Sequence, residues 1–242
     1  MLYRANPGQL SYGEVIGIIK LENYAPFIPG DVANATTYQF PVRYKRVPGL
    51  TPKLIFNHDM SVLESMVEAC EDLKSQGVRA ITGDCGFMGA YQKELTKRID
   101  LPIFMSSLLQ VEFMLSIISQ TEQIGVITAN EGALDEKVLK PCRANYPDRL
   151  VIRGLEKKPH FDKAIMQESE DLDTHKLEQE VVSVATELSE ISSVKLILLE
   201  CSMLPPYGAA VQEKTNLPVF DYITMINFVY SAVVKQRYCG LM

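Results

Sequence analysis

Residues 81 to 104, ITGDCGFMGAYQKELTKRIDLPIF, are answered at residues 197 to 220 by ILLECSMLPPYGAAVQEKTNLPVF, one hundred and sixteen positions later. Aligned without gaps, the two segments match Ile81 with Ile197, Cys85 with Cys201, Tyr91 with Tyr207, Leu101 with Leu217, Pro102 with Pro218 and Phe104 with Phe220. Chance gives about one or two identities over such a length. A second pair, VIGIIK at 15 to 20 and QIGVIT at 123 to 128, repeats at an offset of 108. The chain is therefore read as two similar halves, each opening on a related strand and reaching an acidic residue, a cysteine and a helix later.

The elements between these landmarks fit parallel sheets with helical crossovers. Short β-branched runs at 14 to 21, 78 to 82, 102 to 105, 123 to 129, 149 to 155, 194 to 199 and 218 to 221 alternate with helical patterns. A helix over 62 to 76 is signalled by a capping box of Ser61 and Glu64, an apolar stripe of Leu63, Met66, Val67, Cys70 and Leu73, and Gly77 at its end. Leu177, Val181, Val184 and Leu188 predict its counterpart over 174 to 191. The runs 107 to 118 and 223 to 234 read as short buried helices, between domains or subunits. Residues 22 to 53 hold five prolines and two glycines and read as a long loop, a lid or a solvated excursion, whereas GALDEKVLKPCRANY (132 to 146) reads as a helix. The expected fold class is α/β, two pseudo-symmetric Rossmann-like domains with parallel sheets and the active site in the interdomain cleft. The first domain takes residues 1–105 plus the returning segment 222–242, the second residues 106–221.

A formal charge of −6 and a pI near 5.2 exclude a nucleic-acid or anionic-membrane surface without a segregated basic face, and RYKR at 43 to 46 is too short to supply one. No apolar run reaches a membrane span, and the first residues lack a secretory pattern, so a cytoplasmic chain is expected. Five scattered cysteines and three isolated histidines match neither a disulfide frame nor a metal motif.

Cys85 and Cys201 each follow a predicted parallel strand and precede a helix, the rim where open α/β sheets hold ligands. Free amides and a helix dipole there favour an anion or a thiolate. The amides of Gly86, Phe87 and Met88, or of Ser202 and Met203, are placed to hold a substrate carboxylate while its α-carbon becomes carbanionic. Opposed halves would present one thiol to each side of a stereocentre, which suits two-base proton transfer with inversion. Asn23, Thr128, Ser106 and Ser107 fall on the same rim, and Arg43 is a candidate bidentate partner for a carboxylate. If strand alternation continues, Asp84 and Glu200 point away from the thiols, toward packing or capping roles. Gly83, Gly86 and Gly89 have the wrong spacing for a nucleotide loop, and no metal or other cofactor is demanded.

Through FPVRYKRVPG, ITGDCGFM, LPIFMSSLLQ, LLECSMLPPYGAAVQ and LPVFDYIT, nearly the whole chain resembles the aspartate/glutamate/hydantoin racemase superfamily. The resemblance implies two Rossmann-like domains with one catalytic cysteine each, here Cys85 and Cys201, no cofactor, and a homo-oligomer, often a dimer. The chain departs from the usual polar residues after each cysteine, with Gly86, Phe87 and Met88 after the first and Ser202 and Met203 after the second, which predicts a more apolar pocket. The expected function is a cofactor-independent racemase or epimerase of a small carboxylate-bearing molecule. The alternatives are a lyase or decarboxylase of the same superfamily, such as one eliminating from dimethylsulfoniopropionate, and a non-catalytic two-lobed metabolite-binding protein.

Overall fold

A computed structural model describes residues 2–169 and 171–242. Two parallel sheets carry the two halves. The first contains β1 (Ile16–Lys20), β2 (Val42–Arg46) and β3 (Ala80–Gly83) in the order β2-β1-β3, and a bridge from Ile81 to Ile103 extends it. In the second, β4 (Gln123–Thr128), β5 (Leu150–Gly154), β6 (Val194–Leu199) and β7 (Val219–Phe220) run in the order β5-β4-β6-β7. The repeat is thus a repeat of register: Ile81 pairs with Ile103 as Ile197 pairs with Val219. The amides of Ile81 and Ile197 donate to the carbonyls of Pro102 and Pro218, each at 3.0 Å. This bears out the α/β class with parallel sheets.

The shared glycine of VIGIIK and QIGVIT has a packing reason. A Cβ on Gly17 would stand 3.0 Å from Leu73 Cδ1 of the helix Leu63–Ser75, and one on Gly125 would stand 3.1 Å from Leu188 Cδ1 of the helix Thr174–Ser189. Each glycine lets its crossover helix settle against the central strand of its sheet. On the opposite face of the first sheet, Ile16, Ile18, Ala80 and Phe104 meet Tyr222, Met225 and Ile226 of the helix Tyr222–Val233. That helix returns from the second half to cover the first. No helix among the described residues is long and apolar enough to cross a membrane.

Several elements differ from the sequence reading. Within the supposed loop 22–53 lies β2, where Pro41 and Pro48 bracket a strand instead of abolishing it. As an edge strand it tolerates Arg43, Lys45 and Arg46, and such charges protect an edge from further pairing. The helix expected over 132–146 shortens to Glu136–Leu139, because Pro141 has no amide to continue it. In place of the Ser61–Glu64 capping box, Asp59 accepts from the Ser61 amide at 2.9 Å, and Glu64 pairs with Arg98. The segment 107–118 is a 3-10 turn followed by the helix Val111–Ser116, with Phe113 and Ile117 exposed rather than buried.

Candidate active site

Both cysteines sit just beyond their strands, where the backbone repeats closely. Asp84 donates its amide to the Ile19 carbonyl (3.2 Å) and Glu200 its amide to the Ile127 carbonyl (2.8 Å). Past the thiols, the Met88 amide donates to the Cys85 carbonyl (3.0 Å) and the Leu204 amide to the Cys201 carbonyl (3.1 Å). The amides of Phe87 and Met203 stand toward the sulfurs of Cys85 and Cys201 and work to lower each thiol. The two strand ends face each other across one cavity of about 50 Å³ lined by Cys85, Cys201, Asn23, Phe87, Ser202 and Met203, with Asp84 and Glu200 beside them. Its remaining wall comes from Leu21, Pro52, Phe56 and Ala129, and from Ile165, Met166 and Glu168 at the π-helical turn Asp162–Met166.

Alternation would put the two acidic residues on the face opposite the thiols, yet both border the same cavity. Each strand has ended by that point, β3 at Gly83 and β6 at Leu199, and the cavity wraps the strand end so that successive residues both border it. Asp84 accepts from the Leu21 amide at 2.9 Å and pairs with the Lys20 ammonium at 3.1 Å. Lys20 also stands 3.7 Å above the Phe27 ring. Glu200 Oε2 accepts from the Thr128 hydroxyl at 2.9 Å, while Oε1 is buried with no hydrogen-bond partner. A Cβ on Gly86 would fall 1.8 Å from that Oε1, so the glycine supplies the space for the carboxyl group.

Burial dominates the electrostatics. It raises the Glu200 carboxyl to about 7 against the lowering by the Thr128 hydrogen bond, and raises Asp84 against its pairing with Lys20. Asp31, on the loop packed over the site, is also raised to about 7 by burial. Both thiols are pushed well up, first by burial and next by the nearby Glu200 carboxylate, and each is lowered in part by its amide donor. Burial and the Glu200 carboxylate together favour the protonated form of both sulfurs. Protonation of Glu200, or a positive charge beside it, eases the ionisation of either.

The other expected site residues divide by what they touch. Thr128 and Gly86 reach the cavity through Glu200. Ser107 is buried and its hydroxyl lies 3.2 Å from the Glu200 carbonyl, bracing the second strand end from behind. Ser106 caps the turn Ser107–Gln110 and does not line the cavity. Arg43 is drawn off altogether: it pairs with Glu14 at 3.1 Å and bonds Ser11, because its position on β2 points it to the N-terminal segment. The walls from Phe56, Ile165 and Met166 carry no motif, and only the fold brings them in.

No family model matches the chain. Among curated proteins, dimethylsulfoniopropionate lyase 3 of Emiliania huxleyi (strain CCMP1516) is 34% identical over 235 residues, covering 93% of this chain and 61% of that protein. Dimethylsulfoniopropionate lyase of Durusdinium sp. clade D is 31% identical over 234 residues, covering 93% of this chain and 77% of that one. The chain thus spans about three fifths of the length of the first. Among solved structures, arylmalonate decarboxylase superposes with a TM-score of 0.61 at 18% identity, covering 92% of this chain and 94% of that one. A glutamate racemase from Bacillus anthracis gives 0.59 at 14%, covering 91% and 81%. These likenesses show a shared two-domain racemase-type fold. The expectation of racemisation or epimerisation is corrected by the sequence relatives, which at 31–34% identity over 93% of the chain are named as lyases.

Proposed function

This chain belongs to the dimethylsulfoniopropionate lyase branch of the aspartate/glutamate/hydantoin racemase superfamily, and from that membership we propose that it is a lyase that cleaves dimethylsulfoniopropionate by β-elimination. The observation that carries the reading is the 31% identity to the Durusdinium lyase over 93% of the chain. The chemistry is supported by two cysteines opening on one cavity. The substrate bears a carboxylate at one end and a dimethylsulfonium on its β-carbon. One thiolate, Cys85 or Cys201, takes the α-proton; the electron pair of that C–H bond becomes the new carbon–carbon double bond. The β-carbon–sulfur bond breaks with its electrons going to sulfur, so neutral dimethyl sulfide leaves, acrylate remains, and the thiol later returns its proton to solvent.

The amides after each cysteine support a carboxylate subsite that strengthens as enolate charge develops. The substrate's own cation favours the thiolate that burial and Glu200 disfavour. We keep as part of this reading the division into 1–105 plus 222–242 and 106–221, supported by the helix Tyr222–Val233 lying on the first sheet. A homo-oligomer is supported by exposed Phe113, Ile117 and Phe228.

The test is direct. The full chain incubated with dimethylsulfoniopropionate should release dimethyl sulfide and acrylate in equal amounts, read by headspace chromatography and proton NMR. Cys85→Ser and Cys201→Ser should be assayed beside it, and loss of one acid–base group lowers the rate about 10²- to 10⁴-fold in at least one of them. Release no faster than the uncatalysed elimination at saturating substrate would end the proposal.

A further inference from the structure

The cavity holds an unused charge. Among the described residues its lining includes three acidic side chains, Asp84, Glu168 and Glu200, and no lysine, arginine or histidine. Such a wall repels a plain dicarboxylate and suits a molecule with a positive end. Asp84 is already matched by Lys20 and the Leu21 amide. Glu168, on the π-helical side, is exposed at the rim. Glu200 is different: fully buried and tied by one oxygen to Thr128, it leaves Oε1 without a partner beside Gly86, and the residue borders the cavity. A carboxylate buried with one oxygen open in this way carries charge that a cation beside it would offset. The rings of Phe56 and Phe87 line the same space, edge to face at 4.7 Å between centroids, and aromatic faces attract alkylated cations. Asn23 Oδ1, also buried without a partner, borders the cavity too.

We propose that Glu200 is the specificity-determining residue of this cavity, its open Oε1 holding the onium cation of the substrate against the rings of Phe56 and Phe87. The inference rests on the lyase reading above and names what selects that substrate. A cation opposite Glu200 also offsets the carboxylate's share of what holds both thiols protonated, so the group that admits the substrate eases ionisation of the base that attacks it. Gly86 is part of the device, since any side chain there would displace the carboxyl group.

Binding, not turnover, is the decisive readout. The probes are 3-(trimethylammonio)propionate, whose ammonium leaves far less readily than a sulfonium, and its carbon isostere 4,4-dimethylpentanoate, which keeps the carboxylate and lacks the onium charge, titrated by calorimetry into the full chain near pH 8. The wild type should prefer the cation by about ten- to one hundredfold, and Glu200→Gln should bring the ratio close to one. Equal affinity in the wild type, or an undiminished preference in Glu200→Gln, overturns the proposal; the second result would leave Glu200 as a proton carrier for the thiols at most. The wild-type pH profile gives a readout that needs no variant. The preference should fade as pH falls below about 7, where Glu200 takes up a proton, and its persistence to about pH 5 overturns the proposal. The groups facing Glu200 are the Thr128 hydroxyl, the thiols of Cys85, Cys142 and Cys201, and the Tyr222 phenol. Burial raises these thiols and the phenol further from that window. Asp31 and Asp84 are also raised by burial, so their share is read by repeating the profile in Glu200→Gln. Dimethyl sulfide release without cation preference leaves the lyase standing and removes this role of Glu200. A Glu200-dependent preference without dimethyl sulfide release supports the subsite and removes the reaction.

Discussion

At the scale of the residue, two buried carboxyls set how this protein answers to pH. Glu200 and Asp31 are both raised to about 7, above the usual carboxylate value of about 4 in the unfolded chain. Between those values the folded state binds more protons than the unfolded one, so stability should fall as pH rises from about 5 to about 8. Denaturant titrations across that range should show the slope, and Glu200→Gln should flatten it. Gly86→Ala should force the Glu200 carboxyl from its place and lower turnover by at least about tenfold while the fold, read by circular dichroism, persists. The cysteine pair was legible in the sequence because a duplicated position stands out against chance. Glu200 was not, since its orientation depends on where β6 stops and on the glycine of the opposite half that makes room for it. Arg43 misled for a related reason: a basic residue advertises a carboxylate partner, and here Glu14 is that partner.

At the scale of the element, the repeat was read correctly wherever it controls backbone pairing. Strands β1, β3, β4 and β6 and the helices after β2 and β5 carry their own periodicity and a glycine that admits each helix. β2 was hidden because prolines at its borders mimic a loop, and the π-helical turn Asp162–Met166 has no sequence signature. That turn is where motion is expected. A cavity of about 50 Å³ holds a few waters but not a substrate of several heavy atoms, and π-helical turns gather at functional sites. Hydrogen exchange over 162–169 should slow when 3-(trimethylammonio)propionate is bound, with the amides of β4 and β6 unchanged; equal protection with and without ligand would place the opening elsewhere. The loop before β2 is fixed instead of hinged. Gly30, at φ +100°, lies so close to the second half that a Cβ would stand 2.9 Å from Pro206 Cα, and the Val32 amide donates to the Ser202 carbonyl at 3.3 Å. Gly30→Ala should destabilise the protein by about 1–3 kcal/mol, measured by urea unfolding, through both the positive φ and the backbone contact.

At the scale of the whole molecule, the halves are joined by the site itself. Ser202 of the second half donates its hydroxyl to the Asp84 carbonyl of the first, while Ser107 braces the Glu200 carbonyl within the second. The thiols, the carboxyls and these braces therefore move together, which a two-lobed molecule needs if a small ligand is to be gripped from both sides. The helix Tyr222–Val233 adds a constraint of another kind, because Tyr222, Met225 and Ile226 complete the cover of Ile16, Ile18 and Ala80 that Val32, Tyr38 and Phe104 begin. Chain emerges from the ribosome in order, so the outer face of β1 stays incompletely covered through the making of the entire second sheet. A nascent chain halted after Asp221 should thus present a wet apolar surface that binds hydrophobic dyes and recruits chaperones, and adding the next dozen residues should silence both signals.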